Sequence, residues 1–311
     1  MTTMRLFLVR HGETVDNVAG IYAGTRDSPL TAHGVLQARR LGAHLAAIGP
    51  VKHIFASDLR RAVETARAVV EAQSAVHGVA VASQASGSSS KVDVDGRPNV
   101  DGTPLNLKLV QLPELRERDF GSAEGKKFGI DLVLGGAESR EQMSRRAERF
   151  VDGHLVPLFT TGEAAAAGGC VVVVAHGLIL DSLLRVLLAR FGPLETVQPG
   201  GMRATGWSNT GYVELVVGVG PNLSPSVIAD GPDGARVSAR VSGERTPAPL
   251  PQQPQVTLSV VGVNVLKHLE GLKKTRGGIG SAQFDKRQRT MDSFFGPTTK
   301  KARVEREPEK A

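Results

Sequence analysis

The chain has 311 residues, 41% apolar and 22% charged, with a formal net charge of +7. This composition excludes a wholly disordered chain and carries no fibrous signature. Cys170 is the only cysteine, which excludes an internal disulfide and a cysteine-cluster zinc site and points to a reducing, intracellular compartment. The charge is uneven: residues 271–311 hold 11 Lys/Arg against 5 Asp/Glu, and the rest is close to neutral. The excess therefore belongs to a tail and not to a basic face of the fold, so nucleic acid is expected to meet that tail only weakly.

No membrane or secretory segment is expected. The opening MTTMRLFLVRHGE turns charged too early for a signal-peptide core, and the apolar run Cys170–Leu188 is broken by His176, Asp181 and Arg185. Residues 4–9, MRLFLV, read as a buried strand that ends at Arg10-His11-Gly12. Thr31 is an N-cap for a helix to about Ile48, on which Leu36, Ala38, Leu41 and Leu45 recur at helical spacing. His53–Ala56 is a second strand, and Ser57 or Asp58 is expected to cap a helix through about Gln73. Residues 74–104 turn to Ser, Gly, Asp and Pro and read as a flexible insertion.

Leu107–Leu112 is strand-like again, and a helix rich in Arg and Glu is expected from about Glu138 to Phe159. Val171–Ala175 is the strongest strand signal, ending at His176-Gly177 with an apolar helix behind it. Tyr212–Val219 reads as an edge strand. Residues 220–254 are rich in Pro, Ser and Gly, with TPAPLPQQPQ expected to be extended. Thr257–Leu266 offers one last strand. Strands alternating with helices imply a three-layer α/β/α sandwich with a mostly parallel central sheet. Chemistry in such sheets gathers at the carboxyl ends of strands, where two His-Gly pairs lie.

The residues LVRHGETVDN (8–17) resemble the histidine phosphatase superfamily, which includes the cofactor-dependent phosphoglycerate mutases. Further blocks follow in the family's order: GTRDSPLTAHGVLQA (24–38), SDLRRAVETA (57–66), LRERDFGSAEG (115–125), GAES (136–139) and VVAHG (173–177). The resemblance implies a phosphoglycerate mutase-like fold and phosphohistidine chemistry on a phosphorylated small molecule. It implies His11 as nucleophile, Arg10, Arg61 and His176 as the phosphoryl clamp, and Glu117 as proton donor. Thr14 and Asn17 match positions that border the phosphate, with Gly24 as a weaker third.

The chemistry suits those residue types. Cleaving a phosphomonoester through a covalent intermediate needs a nucleophile, a cationic clamp and an acid for the leaving oxygen. A neutral imidazole can attack phosphorus, and guanidinium forks match phosphoryl oxygens. No metal or cofactor is expected, because the clamp supplies the charge a metal would bring. The bland alternatives are a core histidine at position 11, a solvated surface arginine, which suits Arg60 better than Arg61, and an Arg–Glu surface pair at Glu117. Between Gly125 and Glu138 the chain has about a dozen residues where mutases carry a longer enclosing segment, which favours a phosphatase.

In the tail, Gln288, Met291, Phe294 and Phe295 fit Q-x-x-M-x-x-F-F, which resembles the PCNA-interacting peptide of the replication sliding clamp. A one-turn helix over 291–295 would align Met291, Phe294 and Phe295 as apolar anchors; the alternative is a solvated tail that contains two phenylalanines. KKTR (273–276) and KKAR (300–303) are basic clusters of nuclear-localisation type. The expected organisation is a histidine phosphatase domain over 1–270, with insertions at 74–104 and 220–254. A disordered basic C-terminal tail over 271–311 would carry the clamp motif at 288–295. The expected function is a metal-independent phosphatase tethered to the clamp, in the nucleus or also the cytoplasm. A metabolic phosphoglycerate mutase or sugar bisphosphatase, and a non-catalytic interaction module on the same fold, are the alternatives.

Overall fold

The structure, a computed structural model, describes residues 2–78, 107–129, 135–161, 169–193, 206–220, 255–274 and 278–285. Its centre is a six-stranded sheet: β1 (Thr2–Arg10), β2 (Val51–Ser57), β3 (Leu109–Leu112), β4 (Cys170–Ala175), β5 (Tyr212–Gly220) and β6 (Gln255–Val265). The spatial order is β3-β2-β4-β1-β5-β6. β3, β2, β4 and β1 run parallel to one another, and β5 and β6 add antiparallel at the β1 side. The sheet is therefore mixed, with a parallel centre.

Helices α1 (Val15–Ala19), α2 (Ala32–Ile48), α3 (Arg60–His77), α4 (Arg140–Phe150), α5 (Val156–Thr161) and α6 (Gly177–Phe191) complete the layers. Leu6 and Leu8 of β1 pack with Val171 and Val173 of β4 against α4, α5 and α6. Phe7, Val9, Val172 and Val174 face the other way, onto α2 and α3. Side chains alternate across a strand, so a run such as CVVVVA is apolar throughout because helices cover both faces. Val171 to Val174 are fully buried, and burying each contributes about 1.5–3 kcal/mol.

The helix expected over 138–159 is interrupted. Ser139 caps α4 through a reciprocal capping box with Gln142, and a π-helical turn, Val151–Leu155, joins α4 to α5. The wider turn shifts the helical phase, so Phe150, Val151, Leu155 and Phe159 all face the core. The expected cap at Ser57 or Asp58 is replaced: α3 begins after Leu59 without a side-chain cap of its own. Instead Asp27, from a remote loop, accepts from the Arg60 amide at 2.8 Å, and Asp58 turns to Arg116.

The strand expected at an edge, β5, is internal. β6 pairs along it and is the edge among the described strands, leaving Val260, Val261 and Val263 exposed. β5 alternates buried and half-buried residues along its length, as a strand paired on both sides must when one face meets helices. Contacts with the domain also continue past residue 270. Ala32 donates to Ala282 O, Phe284 donates to Leu30 O, Thr31 bridges Gln283 and Lys274 pairs with Glu13. The insertion expected at 74–104 lies outside the described residues beyond residue 78, as do 221–254 and the motif residues Gln288, Met291, Phe294 and Phe295. No helix among the described residues is long and apolar enough to cross a membrane.

Candidate active site

Arg10 and Ala175 are register partners on the adjacent parallel strands β1 and β4. The next residues, His11 and His176, therefore leave the sheet side by side at its carboxyl edge. The His11 amide donates to Ala175 O at 3.0 Å, and the two imidazole rings lie 5.0 Å apart between centroids. Both rings are buried. Burial first, then the charges of Arg61 and Arg10, hold both well below the usual histidine range, so both are neutral near pH 7.

Neutral imidazoles have one donor and one acceptor nitrogen, and the neighbours here decide which. His11 Nδ1 lies 2.7 Å from Gly12 O; a carbonyl can only accept, so Nδ1 carries the proton and Nε2 keeps a lone pair. His176 is reversed. Its Nδ1 accepts from Arg61 Nε at 3.1 Å, and a guanidinium can only donate, so the His176 proton is on Nε2. That Nε2 is buried without a partner among the described residues, as is Arg10 Nε. A buried orphan donor costs about 1–3 kcal/mol, and an incoming anion would remove that cost.

Arg61 is 1% exposed and more occupied than a simple bidentate clamp. Besides His176 it donates to Arg26 O (2.6 Å), Ala23 O (3.0 Å) and Gly24 O (2.8 Å). Among the described residues one of its five N–H groups remains without an acceptor. Burial pushes its pKa down to about 10, against the pull of Glu117, Asp27, Glu124 and Asp16, which still leaves it cationic. The loop 23–26 that supplies those carbonyls turns its amides to Glu124, which accepts from Gly24, Thr25 and Arg26 and from Phe120. The loop thus lies with its peptide dipoles aligned between a buried cation and a carboxylate.

Glu117 turns inward between two arginines that face elsewhere. Arg116 takes both oxygens of Asp58, and Arg118 donates to Glu138 O. The expected alternative of a surface Arg–Glu pair is therefore not what forms. Glu117 accepts from the amides of Arg118 (2.9 Å), Leu178 (3.1 Å) and Ile179 (3.2 Å), closing the N-terminus of α6 beside His176. Burial pushes its pKa up, while those amides and Arg61 pull it down; the net direction is up. Beside it opens a cleft of about 790 Å³ that Arg116, Arg145, Arg146 and Arg149 also line.

The segment Trp207–Gly211 holds the end of β1. Arg10 donates a terminal N–H to Trp207 O, and burial lowers its pKa against the pull of Glu117. Asn209 Nδ2 donates to His11 O and to Asn17 Oδ1. Thr210, in the left-handed region at φ 57°, donates its amide to Arg10 O and His11 O. From α3, Thr65 Oγ1 accepts from the Gly12 amide and donates to Arg61 O.

Thr14 and Asn17 cap α1 reciprocally, and Thr14 is fully buried. Gly24 is buried and has its amide on Glu124 and its carbonyl on Arg61. A Cβ there would overlap Arg118 O and Glu124 Oε1. Of these three, only Asn17 keeps a side chain that reaches solvent.

Comparison with known proteins agrees with this architecture. Residues 6–80 match the model of the histidine phosphatase superfamily, branch 1. A probable phosphatase of Schizosaccharomyces pombe is 27% identical over 297 residues, 92% of this chain and 78% of that protein. A 2,3-bisphosphoglycerate-dependent phosphoglycerate mutase of Rhizobium etli is 30% identical over 196 residues, covering 57% of this chain and 77% of the mutase. The chain belongs to the histidine phosphatase superfamily. As a member it is classed with enzymes of phosphoric monoester hydrolysis. The fold of a solved mycobacterial hydrolase agrees, with a TM-score of 0.53 at 20% identity over 85% of this chain and 91% of that one.

Within this histidine phosphatase the matched segment holds His11 and Arg61, while Glu117 and His176 lie beyond it. Sequence reasoning missed Glu124, Thr65 and Asn209. Thr65 and Glu124 lie inside the blocks 57–66 and 115–125, but nothing in those blocks shows what they bind: the loop amides that Glu124 accepts from sit about a hundred residues away.

Proposed function

We propose that the protein hydrolyses a phosphomonoester through a covalent phosphohistidine at His11, without a metal. The opposed tautomers of His11 and His176 carry this reading. One ring offers a lone pair at Nε2 and the other an unpartnered Nε2–H, so a phosphoryl group between them is attacked by the first and hydrogen-bonded by the second.

In the first step His11 Nε2 gives its electron pair to phosphorus and the bond to the ester oxygen breaks. Protonated Glu117 gives its proton to that oxygen, releasing the alcohol. Its raised pKa supports the acid role, and the arriving phosphate dianion raises it further by repelling a carboxylate charge. In the second step water attacks phosphorus, Glu117 takes a water proton, and the bond to His11 breaks to release orthophosphate. Arg10, with its unpartnered Nε, and the remaining N–H of Arg61 hold the charge of the transferring group.

The test is hydrolysis of an aryl phosphate in EDTA by wild type and His11→Ala, with an acid quench to trap phosphoenzyme. Turnover that survives the chelator and disappears in the variant is expected. Folded wild type that forms no phosphoenzyme would instead favour the non-catalytic interaction module. Transfer of the phosphoryl group to a second hydroxyl, and not to water, would favour the mutase.

The pattern Gln288, Met291, Phe294 and Phe295 supports the further reading that the phosphatase is tethered to a PCNA-type sliding clamp in the nucleus. Titration of purified clamp with the full chain and with Phe294→Ala/Phe295→Ala tests it. Equal affinities would remove the tether.

A further inference from the structure

We infer that His268 is a positioning residue for the nucleophile: through the Thr210 hydroxyl it fixes the left-handed turn whose amide holds the backbone of His11. The inference deepens the phosphatase reading and rests on it for its kinetic consequence.

The segment Trp207–Gly211 has to be fastened, because it holds a threonine in a conformation that threonine resists. Thr210 has φ 57°, and a β-branched side chain in the left-handed region is crowded against its own backbone. Such a residue persists only where its surroundings over-determine it. The geometry aims the Thr210 amide at Arg10 O and His11 O, at 3.1 and 3.2 Å. Asn209 Nδ2 reaches His11 O beside it, at 3.2 Å. The His11 carbonyl thus takes two donors from this one turn, and the His11 ring moves with its backbone.

His268 supplies the fastening from outside the turn. It lies in the 3₁₀ turn Lys267–Leu269, just beyond β6, and its Nε2 is 3.0 Å from Thr210 Oγ1. The hydroxyl has one proton, which goes to Asn209 O at 2.7 Å, since a carbonyl can only accept. His268 Nε2 is therefore the donor and the hydroxyl its acceptor. Burial, then the charge of His44, lowers the His268 pKa to about 4, so the ring is neutral near pH 7 and has a single N–H. Nδ1 is left with a lone pair, buried and without a partner among the described residues.

That bare Nδ1 separates positioning from packing. The His268 ring packs against those of His44 and Tyr212, at 5.8 and 5.9 Å between centroids. A phenylalanine of nearly the same shape would keep those contacts and remove the orphan acceptor. If position 268 only filled space, phenylalanine would serve at least as well. What phenylalanine lacks is the N–H for Thr210. Asn264, near the end of β6, fastens the neighbouring residue: its Oδ1 accepts from the Ser208 amide at 2.9 Å, and its Nδ2 donates to Ser208 Oγ at 3.1 Å. The segment therefore stays attached when His268 is replaced, and the variant is expected to fold.

The experiment compares the full chain as wild type, His268→Phe and His268→Gln, whose side-chain amide restores an N–H near the place of Nε2. His268→Phe is expected to melt no more than about 2 °C below wild type. Its kcat on an aryl phosphate should fall about tenfold with KM within about twofold, and its Thr210 amide should exchange hydrogen about tenfold faster. His268→Gln should recover most of both. In a Thr210→Gly background, where the left-handed turn needs no fastening, adding His268→Phe should change kcat by less than about twofold.

A phenylalanine variant that turns over and exchanges like wild type overturns the inference. So does a glutamine variant as impaired as the phenylalanine one, a loss confined to KM, or early melting of the phenylalanine variant, which would make 268 a packing position. If wild type hydrolyses no phosphomonoester, the phosphatase reading falls on its own. Faster Thr210 exchange in the phenylalanine variant, reversed by glutamine, then still supports the hold on His11, and unchanged exchange overturns it.

Discussion

Glu124 touches neither histidine, yet the structure makes it the counterweight of the clamp. Its carboxylate accepts from four backbone amides, at 3.0 to 3.4 Å: three in the loop whose carbonyls hold Arg61, and that of Phe120. Glu124→Gln retains one acceptor and puts an amide donor where Oε2 faces the Gly24 and Arg26 amides. Hydrogen bonds to a charged acceptor are worth about 1.5–3 kcal/mol each when buried. Glu124 is half-exposed, so about 1 kcal/mol per amide is the fitting scale, and Gln should cost about 2 kcal/mol of stability. At about 2–4 °C per kcal/mol for a domain of this size, the melting midpoint should fall by roughly 4–8 °C. Glu124→Ala, which frees all four amides, should lose about twice as much.

Activity should fall as well. A slack loop releases the carbonyls that orient Arg61, and through Arg61 Nε the tautomer of His176. Loss of one pre-aligned donor to the phosphoryl group predicts a fall in kcat of about tenfold or more, with KM little changed. Thermal denaturation and steady-state hydrolysis of an aryl phosphate measure both. A variant that melts early but turns over at the wild-type rate would refute the proposed link from Glu124 through the loop to Arg61.

Two further outcomes follow from the same geometry. His11 must be neutral to attack and sits below its usual pKa, while Glu117 must be protonated and sits above its usual one. The kcat/KM profile should therefore rise as pH climbs through the depressed His11 pKa and fall as it passes the raised Glu117 pKa, with an optimum on the acid side of neutrality and an alkaline limb that Glu117→Gln abolishes; an optimum above pH 8 would contradict the roles. Gly24→Ala should destabilise the fold by about 3 kcal/mol or more, because its Cβ meets a backbone oxygen and the Glu124 carboxylate, and wild-type chemical denaturation of this variant would show that the loop can yield.

Much of this molecule was legible in the sequence. Period-2 and period-3.6 patterns placed the strands and the long helices, because a two-faced buried sheet demands continuous apolar runs such as Val171–Ala175. The Thr31 cap was legible because its acceptor and donor are three residues apart. The caps supplied by Asp27 to α3 and by Glu117 to α6 were not, since each carboxylate reaches a helix from a distant loop. The edge position of β6 was hidden for a related reason. Strand order is set by long-range pairing, and residues 221–254 separate β6 from its partner. At the site, residue types pointed to His11 and His176, but their opposite tautomers depend on Gly12 O and Arg61, which only the folded chain brings to them.

The pairing of Phe284 with Leu30 and of Ala282 with Ala32 bears on the length of any leash. Counted along the sequence, Gln288 follows Phe284 by four residues, a reach of about 14 Å at full extension. A clamp that seized the motif beginning at Gln288 would not hold the phosphatase at the end of a long, slack string. It would hold it almost against its own surface, with the start of α2 turned toward the clamp. The orientation of the captured domain, and the direction from which its cleft meets substrate, would then be set by four residues of chain. Inserting a Gly-Ser spacer after Asp285 would loosen that geometry without touching either the motif or the active site.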